Sequence, residues 1–195
     1  MADYPHLLVE TTADGVRTLT LDRADKLNAV NGALAASLSA AVADAATADG
    51  VRVVVITGAG RAFCAGLDLS EPPTLPSATR AERLDPYAWV GTWVRTIVAC
   101  EKPVVAAVNG VAAGAGFGLA LACDVRLVAA SARLTAGYAR RGLSPDAGVS
   151  WMLPRHVGLA RAGDILLTGR DVAAAEAERI GLATRVVPDA DFADA

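Results

Sequence analysis

The chain has 195 residues, of which 53% are hydrophobic and 20% are charged, and its formal net charge is −3. This length and composition are typical of one globular domain with a sizeable core, and they exclude an intrinsically disordered chain. The lysine and arginine residues are scattered and form no basic cluster, so we expect no nucleic-acid surface.

The cysteines and the apolar segments exclude further classes of protein. Cys64, Cys100 and Cys123 have the spacing of neither a disulfide framework nor a zinc site, so we expect reduced thiols in a cytoplasmic protein and no metal. The N-terminus lacks a basic segment followed by an apolar one, and no secretion signal is predicted. The apolar run over 103–122 contains Asn109 and four glycines. We interpret it as a strand, a turn and a helix, not as a membrane span.

The first half of the chain is predicted to begin with a β-hairpin. Apolar and polar residues alternate over His6–Thr12 and Val16–Asp22, on either side of an Ala-Asp-Gly turn. The elements that follow are a helix capped by Asn31 and running to about Thr47, a strand at Val51–Thr57 buried on both faces, a loop over 70–86 and a helix at Pro86–Cys100.

The second half alternates strands with helices. The predicted elements are a strand at Val104–Val108, a helix at Gly114–Cys123, a strand at Val125–Ala129, a glycine-containing loop, and helices at about Leu159–Leu167 and Ala173–Ile180. Such alternation is typical of βαβ units around a mainly parallel sheet. We therefore predict an α/β fold and a single domain over residues 1–195.

Two glycine-containing turns are candidates for a binding site. One, at Ala62–Leu69, follows the strand Val51–Thr57, and the other, over 109–118, leads into the helix that begins near Gly114. The first N–H groups of a helix have no partner within it and lie at its positive end. One N–H from each turn could therefore hold a carbonyl oxygen that gains charge. The alternative is that the glycines serve only tight turns and close helix–sheet packing.

Four motifs together resemble the crotonase (enoyl-CoA hydratase/isomerase) family. They are KLNAV from Lys26, FCAGLDL from Phe63, AAVNGVAAGAGFGLALACDVRL from Ala106 and GLSPDAG from Gly142, in the family order. The resemblance covers about residues 7–187 and implies a fold of repeated ββα units, an acyl-CoA thioester substrate, no other cofactor and a homo-oligomer (trimer or hexamer). Family members continue into C-terminal helices, and we expect those helices to be absent here.

The resemblance also assigns site residues. It implies that the backbone N–H groups of Leu67 and Ala115 form an oxyanion hole. Lys26 is a candidate for a CoA phosphate, or else a solvated loop lysine. Asp68 either contributes to binding or only shapes its own turn. The full set expected to bind CoA or the acyl group is Lys26, Leu27, Asn28, Ala29, Ala65, Gly66, Asp68, Leu69, Gly114, Gly118 and Tyr138.

The sequence departs from the hydratases at their two glutamate positions, which hold Gly118 and Tyr138. Neither residue can do carboxylate work, so the paired acid and base of water addition are missing. Asp146 lies eight residues after Tyr138, where the resemblance is greatest to the ring-epoxide isomerases of phenylacetyl-CoA degradation, which also lack both glutamates. We expect Asp146 to carry a proton, or alternatively to cap a helix at Ala147–Leu153.

The expected function is an acyl-CoA isomerase in which Leu67, Ala115 and Asp146 are the catalytic set. Three alternatives remain: an enoyl-CoA hydratase in the broad sense, a hydrolase or dehalogenase with Asp146 as nucleophile, and a non-catalytic acyl-CoA-binding protein. A dinucleotide-binding fold is disfavoured because the glycines from Gly114 to Gly118 lack the G-x-G-x-x-G spacing.

Overall fold

A hairpin opens the structure, and its second strand is built into a larger sheet. In the computed structural model, which describes residues 3–71 and 90–195, β1 (Leu7–Thr11) pairs antiparallel with β2 (Val16–Leu21). Strand β2 then pairs in parallel with β3 (Val53–Gly58). The predicted hairpin is therefore confirmed.

The larger sheet has six strands in the order β1-β2-β3-β5-β7-β10. Its remaining members are β5 (Val104–Val108), β7 (Val125–Ala129) and β10 (Arg185–Val187), all parallel to their neighbours. On β3, Val54 and Ile56 have no exposed surface, whereas Val53 and Val55 are half-buried. The prediction of a strand buried on both faces was wrong, because the described residues cover one face fully and the other only in part.

A second sheet is made of four strands of three residues each. The strands β4 (Ala62–Cys64), β6 (Val111–Ala113), β8 (Arg133–Thr135) and β9 (Asp171–Ala173) lie in that order, and β4, β6 and β8 are parallel. Because β4 and β6 follow β3 and β5 directly, each pair forms a ββ unit, and α3 follows the second pair. This arrangement is the predicted fold of repeated ββα units.

Six α-helices complete the described part of the molecule. They are α1 (Gly32–Thr47), α2 (Val90–Val98), α3 (Ala115–Ala122), α4 (Val149–Val157), α5 (Leu159–Thr168) and α6 (Ala174–Arg179). Every residue of α3 is buried, as a helix that is apolar on all sides must be. Helix α1 begins as predicted, because the Asn31 side chain accepts a hydrogen bond from the Leu34 N–H.

Some predicted features fall partly outside the described residues. Most of the predicted loop over 70–86 lies there, together with Trp89 and the first turn of the helix predicted from Pro86. Within residues 3–71 and 90–195, no helix is long and apolar enough to cross a membrane, and no group of three metal-ligating side chains is found. All three cysteines are free thiols.

Candidate active site

The carboxyl ends of three neighbouring parallel strands form one cleft. The segment after β4 contributes Ala65, Gly66, Leu67 and Leu69, the residues after β6 are Gly114 and Ala115, and the segment after β8 contributes Ala136–Tyr138. Ligands of parallel sheets commonly bind at this end of the strands. The cleft has a volume of about 500 Å³, within the range of small-molecule sites.

Two backbone N–H groups in this cleft have no partner within the described structure. Val30 donates to the Gly66 carbonyl at 2.7 Å and accepts from the Asp68 N–H at 2.9 Å. Leu67 lies between Gly66 and Asp68. In a parallel bridge of this kind the middle residue points its own N–H away from the partner strand, so the Leu67 N–H faces away from Val30. Ala115 is the first residue of α3, where an N–H has no acceptor within the helix.

Gly66 allows the two donor segments to meet. Its φ of 97° is in the left-handed region that favours glycine. A Cβ placed on Gly66 would lie 2.7 Å from the Ala113 carbonyl oxygen and 3.4 Å from the Ala115 nitrogen. The loop that carries Leu67 therefore lies directly against the start of α3, which places both N–H groups on the same cleft.

A buried ion pair holds the Leu67 segment in place. Arg23 Nη1 donates to the Asp68 carboxylate at 2.9 Å and to the Ala29 carbonyl at 2.6 Å, and both charged side chains are almost fully buried. The other oxygen of Asp68 accepts from the Ser70 N–H and hydroxyl. The side chain of Asp68 thus shapes its own turn, as the second of the two interpretations of this residue predicted.

These contacts give Asp68 a pH-dependent role in stability. The Ser70 hydroxyl and then the Arg23 guanidinium hold the pKa of Asp68 well below its usual range, although burial opposes them. A carboxyl whose folded pKa lies below its unfolded value of about 3.9 stabilises the fold above that pH and loses the contribution below it. Asp68→Asn is therefore expected to lower the free energy of unfolding by about 3 kcal/mol at pH 7, and by less below about pH 4.

Urea unfolding monitored from pH 3 to pH 7 measures this effect. Asp164→Asn is a matched control, since it breaks an exposed pair with Arg170 and is expected to cost less than about 1 kcal/mol. Equal losses from Asp68→Asn and Asp164→Asn at pH 7 would contradict the role assigned to Asp68.

Asp146 also lines the cleft, in contact with Tyr138. The Tyr138 hydroxyl donates to Asp146 Oδ1 at 2.7 Å, and the tyrosine side chain is buried. The predicted helix start at Ala147 was wrong, because α4 begins at Val149 and its N-cap is Gly148. The Asp146 side chain forms no capping hydrogen bond with α4, so it stays available to the cleft.

The position of the first hydratase glutamate is sterically closed. A Cβ on Gly118 would come 2.5 Å from the Ala147 carbonyl oxygen and 2.6 Å from its Cβ, because α3 packs directly against the turn that carries Asp146. Ala147 itself has a φ of 48°, an uncommon conformation for a residue other than glycine. The lack of a side chain at Gly118 therefore lets the Asp146 turn pack against α3.

Gly118→Ala is expected to lower the free energy of unfolding by about 1–3 kcal/mol, since the added methyl group overpacks this contact. Gly163→Ala is the matched control: Gly163 is also in a helix, a Cβ there would meet nothing within 4 Å, and alanine should stabilise the helix by about 0.5–1 kcal/mol. Urea unfolding of both variants measures the two changes in the free energy of unfolding. A Gly118→Ala protein more stable than the original would contradict the predicted overpacking.

The predicted CoA segment lies beside the donor loop but outside the lining of the cleft. Leu27 accepts a hydrogen bond from the Ala65 N–H, and Lys26 is exposed. Asn28 is fully buried, and its amide nitrogen donates to the carbonyls of Ala59 and Ala62. The structure thus brings together Ala65, Gly66, Leu67, Leu69, Gly114, Ala115, Tyr138 and Asp146 on one cleft, whereas Lys26, Leu27, Asn28, Ala29, Asp68 and Gly118 are not among its lining residues.

Sequence reasoning missed several residues of the site. Arg23 carried no signal, since its partner Asp68 lies 45 residues further along the chain. Arg140, Arg141 and Leu143 also line the cleft, although the sequence placed none of them in the site and indicated only that a few of the scattered basic residues could meet ligand phosphates. The motif around Asp146 could have drawn attention to them, because they directly precede it.

The topology and the cleft define a mixed α/β protein of the crotonase class. Residues 11–195 match the model of the enoyl-CoA hydratase/isomerase family, and the chain belongs to that family. A relative named "Probable enoyl-CoA hydratase" from Rhodobacter capsulatus is 43% identical over 191 residues, which are 96% of this chain and 71% of the relative. The 1,2-epoxyphenylacetyl-CoA isomerase of Escherichia coli is 40% identical over 183 residues, 92% of this chain and 69% of that protein.

Solved structures agree with this assignment. The crystal structure of enoyl-CoA hydratase from Bacillus anthracis is similar to 97% of this chain and 72% of its own, with a TM-score of 0.88 and 33% sequence identity. The family resemblance and the fold class predicted from the sequence are therefore confirmed. The relatives include both hydratases and an isomerase, so the reaction must be argued from the site itself.

Proposed function

We propose that the protein is an acyl-CoA isomerase that stabilises a thioester enolate with the N–H groups of Leu67 and Ala115. One observation carries the proposal: the carboxylate of Asp146 lines the same cleft as these two residues. The two positions that hold glutamate in hydratases have no carboxylate here, and Gly118 leaves no room for one. Asp146 is thus the one carboxylate among the cleft-lining residues that the structure describes.

The proposed reaction moves a double bond within the acyl chain. The thioester carbonyl oxygen lies between the two N–H groups and gains negative charge when a proton leaves the carbon next to that carbonyl. Asp146 accepts that proton and returns it to a different carbon of the same substrate. No atom is gained or lost overall, and the reaction requires neither a metal nor a redox cofactor. Coenzyme A takes part only as the carrier portion of the substrate.

Hydration in the broad sense is the second candidate, and the names of the relatives favour it. Adding water across a double bond is helped by one group that directs the water and another that supplies a proton. Asp146 could fill one of these roles, and the second would fall to Tyr138. Burial first, and then the charge of Asp146, raise the pKa of Tyr138 well above its usual value. A hydroxyl of that kind is a poor proton donor, so the site supports isomerisation better.

Assays with two thioesters distinguish these functions. Conversion of a 3-enoyl-CoA into the conjugated 2-enoyl isomer, followed by its ultraviolet absorbance, is expected for the isomerase. Loss of the absorbance of crotonyl-CoA would instead identify a hydratase. Binding of both thioesters without turnover would identify a non-catalytic binder, and an acyl group trapped on Asp146 and located by mass spectrometry would identify a nucleophilic mechanism.

A homo-oligomeric state, trimer or hexamer, and a cytoplasmic location stay predictions from the sequence resemblance. Size-exclusion chromatography with light scattering measures the first of these directly. A monomeric mass at micromolar concentration would contradict it.

A further inference from the structure

The Tyr138–Asp146 pair has a geometry that suits a positioning contact. Asp146 is exposed, and it is followed by the more buried Ala147 and Gly148, which both have positive φ, 48° and 72°. Its Oδ1 atom accepts the hydroxyl of Tyr138 at 2.7 Å, and among the described residues no other side chain bonds to the Asp146 carboxylate. The exposed carboxylate of Asp146 is therefore held from one side and keeps its second oxygen open to the cleft.

Tyr138 is itself fixed by the fold. Only 6% of its surface is exposed, and its backbone N–H donates to the Ala136 carbonyl. Its carbonyl accepts from the N–H groups of Arg141 and Leu143 at 2.9 and 3.1 Å. Since Tyr138 directly follows the loop after β8, the hydroxyl is anchored to the second sheet, which also carries the two N–H donors of the cleft.

We infer that Tyr138 is a positioning residue that fixes the Asp146 carboxylate relative to the Leu67 and Ala115 N–H groups. This inference rests on the proposed function, because it assigns Tyr138 a role in the same reaction. Tyr138 acts as the donor: burial and the nearby carboxylate raise its pKa, so the hydroxyl keeps its proton throughout the working pH range. The contact holds one carboxylate oxygen in place, and the other oxygen moves the substrate proton.

The inferred role predicts two separable effects of Tyr138→Phe, which keeps the ring and removes the hydroxyl. A misplacement of about 1 Å can cost about 100-fold in rate, so kcat is expected to fall about 10- to 100-fold with little change in KM. The pH dependence of kcat/KM should also differ from that of the unsubstituted protein, because the hydroxyl that contacts the proton-carrying side chain is gone. Arg140 and Arg141 are the other charged side chains that line the described cleft.

A double-mutant cycle with Asp146→Asn tests the inference. If Tyr138 acts through Asp146, adding Tyr138→Phe to Asp146→Asn should change kcat less than twofold. Tyr4→Phe is the matched control, since Tyr4 also hydrogen-bonds a carboxylate, that of Asp44, and neither residue lines the cleft. It should change neither kcat nor the pH profile.

The outcomes separate this inference from the proposed function. A normal pH profile and kcat in Tyr138→Phe, together with an inactive Asp146→Asn, would overturn the positioning role and leave the isomerase proposal standing. An active Asp146→Asn would overturn the proposed function itself. A Tyr138→Phe protein that loses stability to urea but keeps its pH profile would show that the tyrosine only packs in the core, which also overturns the inference.

Discussion

Asp146→Asn is expected to lower kcat for isomerisation of a 3-enoyl-CoA by about 10²- to 10⁴-fold, the usual contribution of a positioned acid or base. The asparagine amide cannot accept and return a proton, but it occupies nearly the same volume and can still accept the Tyr138 hydroxyl. The affinity for the thioester should therefore stay within a few-fold of the original. Steady-state kinetics for kcat and isothermal titration calorimetry for binding measure the two quantities separately.

Asp189→Asn is the matched control for this substitution. Asp189 is exposed, and its carboxylate accepts hydrogen bonds from the N–H and hydroxyl of Ser131, so it resembles Asp146 in chemistry and exposure. We expect it to keep full activity. Unchanged turnover of every tested thioester by Asp146→Asn, with binding retained, would rule out the proton-carrier role and favour a non-catalytic acyl-CoA-binding protein.

The longer elements of the fold could be predicted because each shows a hydrophobic pattern or an uninterrupted apolar run in the sequence. The helix after Asn31 and the strands Val104–Val108 and Val125–Ala129 were placed to within about one residue. The second sheet could not be predicted in this way. Its strands have three residues each, too few to display alternation, and they form because the longer strands of the first sheet bring them together.

The candidate site likewise has a part that local motifs can predict and a part that depends on tertiary packing. Its backbone donors follow from two turns that a motif can reveal, and Leu67 and Ala115 do lie on one cleft. The contacts that hold side chains in the site depend on tertiary packing. The Arg23–Asp68 ion pair and the lack of space at Gly118 cannot be predicted from the local sequence. In each case the contacting residue belongs to a segment that is distant along the chain.

Ala115→Pro is expected to lower kcat by about 10²- to 10³-fold, because it removes one of the two proposed oxyanion donors. The substitution suits the backbone: Ala115 is the first residue of α3, where proline is favoured and no intrahelical hydrogen bond is lost. Gly114 has φ 53° and ψ −119°, outside the α region that a following proline disfavours. The free energy of unfolding should therefore change much less than the rate does.

Leu159→Pro is the matched control for the proline substitution. Leu159 is the first residue of α5, follows Gly158 and is 82% exposed. Proline at this position therefore tests whether the start of a helix accepts the substitution, and it changes no residue of the cleft. Circular dichroism and urea unfolding of both variants establish that the fold is kept, and kcat is then compared. If Ala115→Pro is folded and isomerises a 3-enoyl-CoA as fast as Leu159→Pro, the Ala115 N–H does not stabilise the enolate. In that case only the Leu67 N–H would remain as a hydrogen-bond donor to the carbonyl oxygen. The second donor would then have to come from another residue of the cleft.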